Sequence, residues 1–247
     1  MINVGSVNLS FAHEGTVNQV LQDISFEVGT RDSCAIIGPS GCGKTSLLFL
    51  LAGLFQPDSG SIAIAGQPRI GTILQHYGLF PWKTVAQNIG LGLVLAGESK
   101  NHINRRVDHL LREMGLAGFG SHYPGQLSGG MQQRVAMARA LAVEPQVLLM
   151  DEPLSSLDAL TRERLQNLIL DVWQQKRITT VLVTHSIEEA VFLGRRIIVL
   201  SRRPGRIIAS VDNPEAGNAD YRQSEIFFHR CRDLRKILKG EDNGTEA

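Results

Sequence analysis

Eight consecutive residues, Gly38-Pro39-Ser40-Gly41-Cys42-Gly43-Lys44-Thr45, fit the spacing G-x-x-x-x-G-K-[ST]. Glycines at 38, 41 and 43 let the backbone turn its N–H groups inward, because no Cβ blocks a positive φ or a close approach. Such a nest suits a polyphosphate, with the Lys44 ammonium on the β- and γ-phosphates and the Thr45 hydroxyl on Mg²⁺. A bare glycine turn would need neither the lysine nor the hydroxyl at those positions. A second group is acidic: Asp151-Glu152 follow the apolar run Val147-Leu148-Leu149-Met150. Asp151 would reach the metal, and Glu152 would polarise a water for in-line attack on the γ-phosphorus. An acidic pair after an apolar strand is also what a solvated strand end looks like. Pro153 and Ser155-Ser156-Leu157-Asp158 downstream favour the chemical reading. The third group is Leu127-Ser128-Gly129-Gly130-Met131-Gln132-Gln133-Arg134, which reads as the start of a helix running to Ala142. Ser128 is a favoured N-cap, and a helix N-terminus attracts anions.

These groups need elements to carry them. Cys34 to Ile37 is a short apolar run, readable as a buried strand, and Lys44 to Leu54 read as a helix with a leucine face. Strand, glycine loop, helix is the context a phosphate loop requires. In a parallel sheet, ligands bind at the carboxyl ends of strands, which is where Glu152 falls. Residues 1–28 alternate as antiparallel strands, and strands are expected at Ser61–Ala65 and Gly71–Leu74. Residues 84–142 read as helical, with Ile103, Val107, Leu110, Leu111 and Met114 on one face. A further helix carries Leu165, Leu168, Ile169, Val172 and Trp173. Strands near 180–183 and 197–200 complete a parallel sheet, with a last strand near 206–211. His185 follows the strand Thr180-Val181-Leu182-Val183. Ser186, with Glu189 three residues on, reads as a capping box that would hold His185 at a strand–helix junction.

With these motifs in this order, the chain resembles the ATP-binding subunits of ABC transporters from about Ile2 to about Val211. The resemblance implies an α/β chain. Its P-loop (RecA-like) core would carry an N-terminal antiparallel β-subdomain and an inserted α-helical subdomain, about 84–142, bearing the signature motif. The ATP-binding domain would span 1–211 and leave a short tail, 212–247. Gly38 to Thr45, with Ser46, match the Walker A loop. Gln75 matches the Q-loop glutamine, a ligand of Mg²⁺ and part of the catalytic set. Leu127 to Gln133 match the signature, Val147 to Glu152 the Walker B strand and catalytic glutamate, and Ser155 to Asp158 the D-loop. His185 matches the switch histidine. Phe11 stands where the family stacks an aromatic on adenine, although alternation with Val7 and Leu9 also fits a core position.

In such proteins, Ser128, Gly129 and Gly130 of one copy would close over the γ-phosphate held by Lys44 of another, in a head-to-tail dimer. Neither motif is repeated in the chain, so a second copy or a related ATPase subunit is implied. Membrane permease subunits would dock beside Gln75–Ile89. There Leu79-Phe80-Pro81-Trp82, Thr84-Val85 and Asn88 resemble importers of nitrate, sulfonates, taurine and bicarbonate, as does Met131. Those systems also use a substrate-binding protein, met only indirectly. Core packing is the other reading of Phe80 and Trp82. The alternative function is a non-transport ABC ATPase acting on a macromolecule. No extended heptads lie between Lys44 and Asp151, as a chromosome-organising relative would need, and only one such domain is present.

Composition bounds the rest. The 247 residues suffice for one large α/β domain with inserts, and a net charge of +1 gives no nucleic-acid signature. No apolar run approaches the about 20 residues that span a bilayer, and the N-terminus lacks a signal-peptide pattern. A location at the cytoplasmic side of the membrane, held there peripherally, is expected. Cys34, Cys42 and Cys231 are scattered and read as reduced thiols. Cys42 lies inside the phosphate loop, where thiol reagents are expected to block ATP. The tail is too short for an added β-barrel domain. Its Arg230, Arg232, Arg235, Lys236 and Lys239 read as a solvated basic face, with contact to anionic lipid or a membrane subunit as the alternative.

Overall fold

The computed structural model describes residues 1–13, 16–155 and 157–243. Ser156 of the expected D-loop and the last four residues of the tail lie outside them.

Two sheets share the molecule. β1 (Ile2–His13), β2 (Thr16–Val28) and β4 (Ser59–Ile64) form an antiparallel sheet in the order β2-β1-β4. The larger sheet runs β5-β6-β7-β3-β8-β9, from β3 (Ser33–Ile37), β5 (Ile70–Ile73), β6 (Val147–Asp151), β7 (Thr179–Thr184), β8 (Arg196–Leu200) and β9 (Ile207–Asp212). β3, β6 and β7 are buried along their whole length, the pattern of parallel strands covered on both faces. Strand alternation divides their side chains. Ala35, Ile37, Leu148, Met150 and Leu182 join a core under the helices. Cys34, Ile36, Leu149, Val181 and Val183 join a second core with α1 (Lys44–Leu51) and the antiparallel sheet.

α1 ends three residues short of the predicted Leu54. Gly53 takes φ 71°, and the Leu54 N–H turns back to the Phe49 carbonyl, a left-handed helix stop. Leu54 is left exposed. β9 pairs antiparallel with β8, so the large sheet is mixed at that edge. The connection is only residues 201–206, too short for the crossover a parallel neighbour needs.

Between β5 and β6 lie α2 (Val85–Leu95), α3 (Lys100–Glu113) and α4 (Gly129–Ala142). Val107, Leu110, Leu111 and Met114 bury the expected stripe of α3. α5 (Ala159–Lys176) and α6 (Ile187–Leu193) follow β6 and β7. The chain after β9 packs back onto them through α7 (Glu225–Asn243), whose Phe227, Cys231 and Leu234 enter the helical core while Ile226 stays exposed. Arg222 lies 4.0 Å over the Phe192 ring and bonds Glu163 and Gln166 of α5. Arg235 donates to Glu188 of α6 at 2.7 Å. Two of the tail's arginines are therefore committed to the protein itself. No helix of the described residues is long and apolar enough to cross a membrane.

Candidate functional site

The glycine loop leaves the carboxyl end of β3 and enters α1 through Gly43, at φ 105°. A Cβ on Gly43 would meet Leu21 Cδ2 at 2.7 Å, so glycine is required by both the backbone and the space. Lys44 is 6 % exposed. Its Nζ donates to the Gly38 and Pro39 carbonyls at 2.8 and 2.9 Å, which draws the ammonium over the loop. Thr45 Oγ1 donates to Asp151 Oδ1 at 3.0 Å, bringing together two hard oxygens of the kind Mg²⁺ takes. Burial raises the Asp151 carboxyl, opposed chiefly by the Thr45 hydroxyl.

Beside this pair, three predicted residues converge on one atom. Glu152 Oε2 accepts from Gln75 Nε2 at 3.1 Å and lies 3.0 Å from His185 Nδ1. Gln75 thus sits on Glu152, whereas Thr45 and Asp151 hold each other. Glu152 itself adopts φ 43°, a left-handed conformation that costs a non-glycine residue about 1–3 kcal/mol. It is held there by its N–H on the Val183 carbonyl (2.9 Å) and by Ser155, whose N–H and hydroxyl both donate to the Glu152 carbonyl.

A cleft of about 550 Å³ is lined by Phe11, Lys44, Thr45, Gln75, Glu152 and His185. Phe11 is 41 % exposed while Val7 and Leu9 are buried, so it leaves the core pattern of its strand and rests edge-on against Phe55. Ser128, Gly129 and Gly130 line a different cleft, of about 620 Å³, with Leu157, Asp158 and Thr161. The two clefts share no lining residue. Ser128 caps α4 as predicted, accepting from the Met131 N–H at 3.4 Å.

Two expectations change. Cys42 is 1 % exposed and burial raises its thiol, so the loop shields it from thiol reagents. The capping box at Ser186 is only half made. Glu189 N–H donates to Ser186 Oγ at 3.2 Å, but the Glu189 carboxylate takes the buried Thr184 hydroxyl instead of returning to the Ser186 N–H. That N–H goes to Thr184 Oγ1 at 3.1 Å.

Burial pushes the Glu189 carboxyl up to about 7, from an ordinary 4.5, against the Thr184 hydroxyl and the Arg162 guanidinium. A folded value above the unfolded one gives stability that is complete below about pH 4.5 and lost as pH rises through about 7. Glu189→Gln should therefore flatten the pH dependence of stability. The variant should exceed the parent by on the order of 3 kcal/mol at pH 8, with little difference at pH 4.5, read from urea unfolding at the two values. Parallel curves would show that Glu189 does not titrate in this range.

Three supporting residues escaped the sequence reading, and a fourth, Asn88, entered it only through the importer resemblance. Arg139 of α4 donates to the Tyr77 and Gly78 carbonyls at 2.7 Å each, just past Gln75. Fully buried Asn88 accepts from the Phe80 N–H and donates to the carbonyls of Phe80, Lys83 and Thr84. Arg162 donates to Leu157 O at 2.7 Å and Leu154 O at 3.4 Å. Gly205 pairs with β2 across the base of the phosphate loop, through its N–H to Val20 O and its carbonyl to Gln22 N.

The ABC transporter family model matches residues 21–155. The taurine import ATP-binding protein of Roseobacter denitrificans is 46 % identical over 96 % of the chain and 88 % of its own length. The nitrate import ATP-binding protein of Synechocystis is 40 % identical over 92 % of the chain and 91 % of its own. A dimeric ATP-binding cassette solved in a post-hydrolysis state with ADP and phosphate superposes with a TM-score of 0.78. It is 29 % identical and covers 86 % of this chain and 98 % of that one.

Proposed function

The chain belongs to the ABC transporter family and is an ATPase; from that premise we propose that it powers an importer of small anions such as nitrate, taurine, other sulfonates or bicarbonate. The support for that substrate class is the likeness to the taurine and nitrate import proteins. The observation that carries the mechanism is the meeting of Gln75 and His185 on Glu152 Oε2, beside the phosphate loop.

In this reading Gly38 to Ser46 cradle the triphosphate and Lys44 neutralises its β and γ oxygens. Thr45 and Asp151 would hold Mg²⁺, with Gln75, which bonds Glu152, as the further ligand the resemblance implies. Bound there, the ion would supply neutralisation of phosphate charge. Glu152 orients and polarises the attacking water, and His185 and Gln75 fix the carboxylate that does so. Phe11 supports the adenine. Ser128, Gly129 and Gly130 act on the nucleotide of a second copy, or of a related ATPase subunit, because they open a separate cleft on their own chain. We assign residues 1–211 to the ATP-binding domain, with the helical insert at 84–142, and 212–247 to a tail.

Permease subunits would meet the segment after Gln75 and hold the ATPase at the cytoplasmic membrane face; a substrate-binding protein acts through them. Trp82 is 70 % exposed, edge-on to Phe80, on a loop braced by Asn88. An exposed aromatic on a rigid support suits an anchor. In the assembled transporter, Trp82→Ala should leave basal ATPase activity within about twofold and lower transport by about tenfold or more. Unchanged transport per ATP hydrolysed would remove Trp82 from the docking surface.

A further inference from the structure

We infer that Glu189 is a positioning residue for ATP hydrolysis: through Thr184 and Ser186 it holds the turn that presents His185 to Glu152. The inference rests on the roles proposed above for Glu152 and His185.

The His185 side chain is 55 % exposed, so packing does little to aim it. Its approach to Glu152 depends on the backbone of its turn, and both neighbours of His185 are bonded to Glu189. Thr184, 1 % exposed, donates its hydroxyl to Glu189 Oε2, and the same oxygen of Thr184 accepts from Ser186 N–H. Ser186 Oγ accepts from Glu189 N–H. A single residue therefore grips the chain on each side of the histidine, once by side chain and once by backbone.

The other half of the pair is braced by a residue of α5. Arg162 holds the carbonyls of Leu154 and Leu157, which bracket the segment whose Ser155 fixes the Glu152 carbonyl. Its guanidinium acts electrostatically on the Glu189 carboxyl. Glu189 is 3 % exposed, and its Oε1 has no hydrogen-bond partner among the described residues. A carboxyl kept in the interior with an unmet oxygen is costly as mere filling. Its neighbour Glu188 differs: it faces outward and pairs with Arg235.

The test is a double-mutant cycle on purified protein, with kcat and KM for ATP read separately. Glu189→Ala should lower kcat about tenfold with KM within about twofold. Glu189→Gln, whose amide oxygen can still accept from Thr184, should keep kcat within about twofold. In a His185→Ala background, Glu189→Ala should cost less than about twofold more, because it acts through a side chain already removed. Should Glu189→Ala fail to fold, the near-isosteric Thr184→Val replaces it in the cycle with the same expectations. Multiplicative losses in the double variant, or parent-like kcat in Thr184→Val, would overturn the inference while leaving the proposed site intact. Parent-like hydrolysis by His185→Ala alone would overturn the site reading, and this inference with it.

Discussion

Glu152→Gln should bind ATP, lose about 100- to 1,000-fold in hydrolysis rate, and accumulate as a dimer on size exclusion when ATP is present. Glutamine keeps the size of the side chain and can still bond Gln75 and His185. The left-handed backbone at residue 152 is also set by Val183 and Ser155, which the substitution does not touch. What disappears is the carboxylate charge that would draw a proton from water. Binding should survive, because Lys44 and the loop N–H groups remain. Dimers should build up because, on the proposed assembly, the γ-phosphate shared between the cleft of one copy and the Ser128 helix start of another is no longer cut. A parent rate in single-turnover assays would deny Glu152 its role as the base. ATP-dependent loss of activity without dimers would instead separate hydrolysis from assembly.

The second large effect is expected far from any motif. Gly205→Ala should destabilise the protein by about 3 kcal/mol and weaken ATP binding at least tenfold. A Cβ at 205 would lie 2.3 Å from the Cys42 carbonyl oxygen and 3.3 Å from Leu21 Cδ2. The first is backbone and has no rotamer to escape into. Relief must come by moving the phosphate loop or by opening the Val20 and Gln22 bonds that hold residue 205 against β2. Either movement displaces the donors meant for phosphate. Thermal unfolding and nucleotide titration of the variant would check both effects; normal affinity at normal stability would show that the loop does not lean on residue 205.

Nothing near Gly205 in the chain announces this. The phosphate loop, the acidic pair and the signature stretch were legible because their chemistry needs particular side chains at fixed short spacing. The buried strands β3, β6 and β7 were legible as apolar runs. Meetings across long separations were not. Arg139, Arg162 and Gly205 all work through backbone carbonyls, which every residue carries, so the partner leaves no mark of its own. The early end of α1 turned on Gly53, read too loosely from apolar patterning; the last strand was placed in the sequence, but its antiparallel direction follows from the short connection. The half-made capping box at Ser186 had the right spacing but a nearer hydroxyl, Thr184, captured the carboxylate. Of the tail's basic residues read as a solvated face, Arg235 is engaged with Glu188 of α6.

Arg139 joins α4 to the turn at Tyr77 and Gly78, where two successive left-handed residues aim their carbonyls at one guanidinium. Ser128 lies at the far end of the same rigid rod, roughly 16 Å away along its axis. A pull on the loop beyond Gly78 would therefore be carried along α4 toward Ser128, the end proposed above to meet a second copy. On the proposed assembly, a membrane subunit holding Leu79–Lys83 would therefore have its grip, through Arg139, on the helix whose other end closes over a second copy's nucleotide.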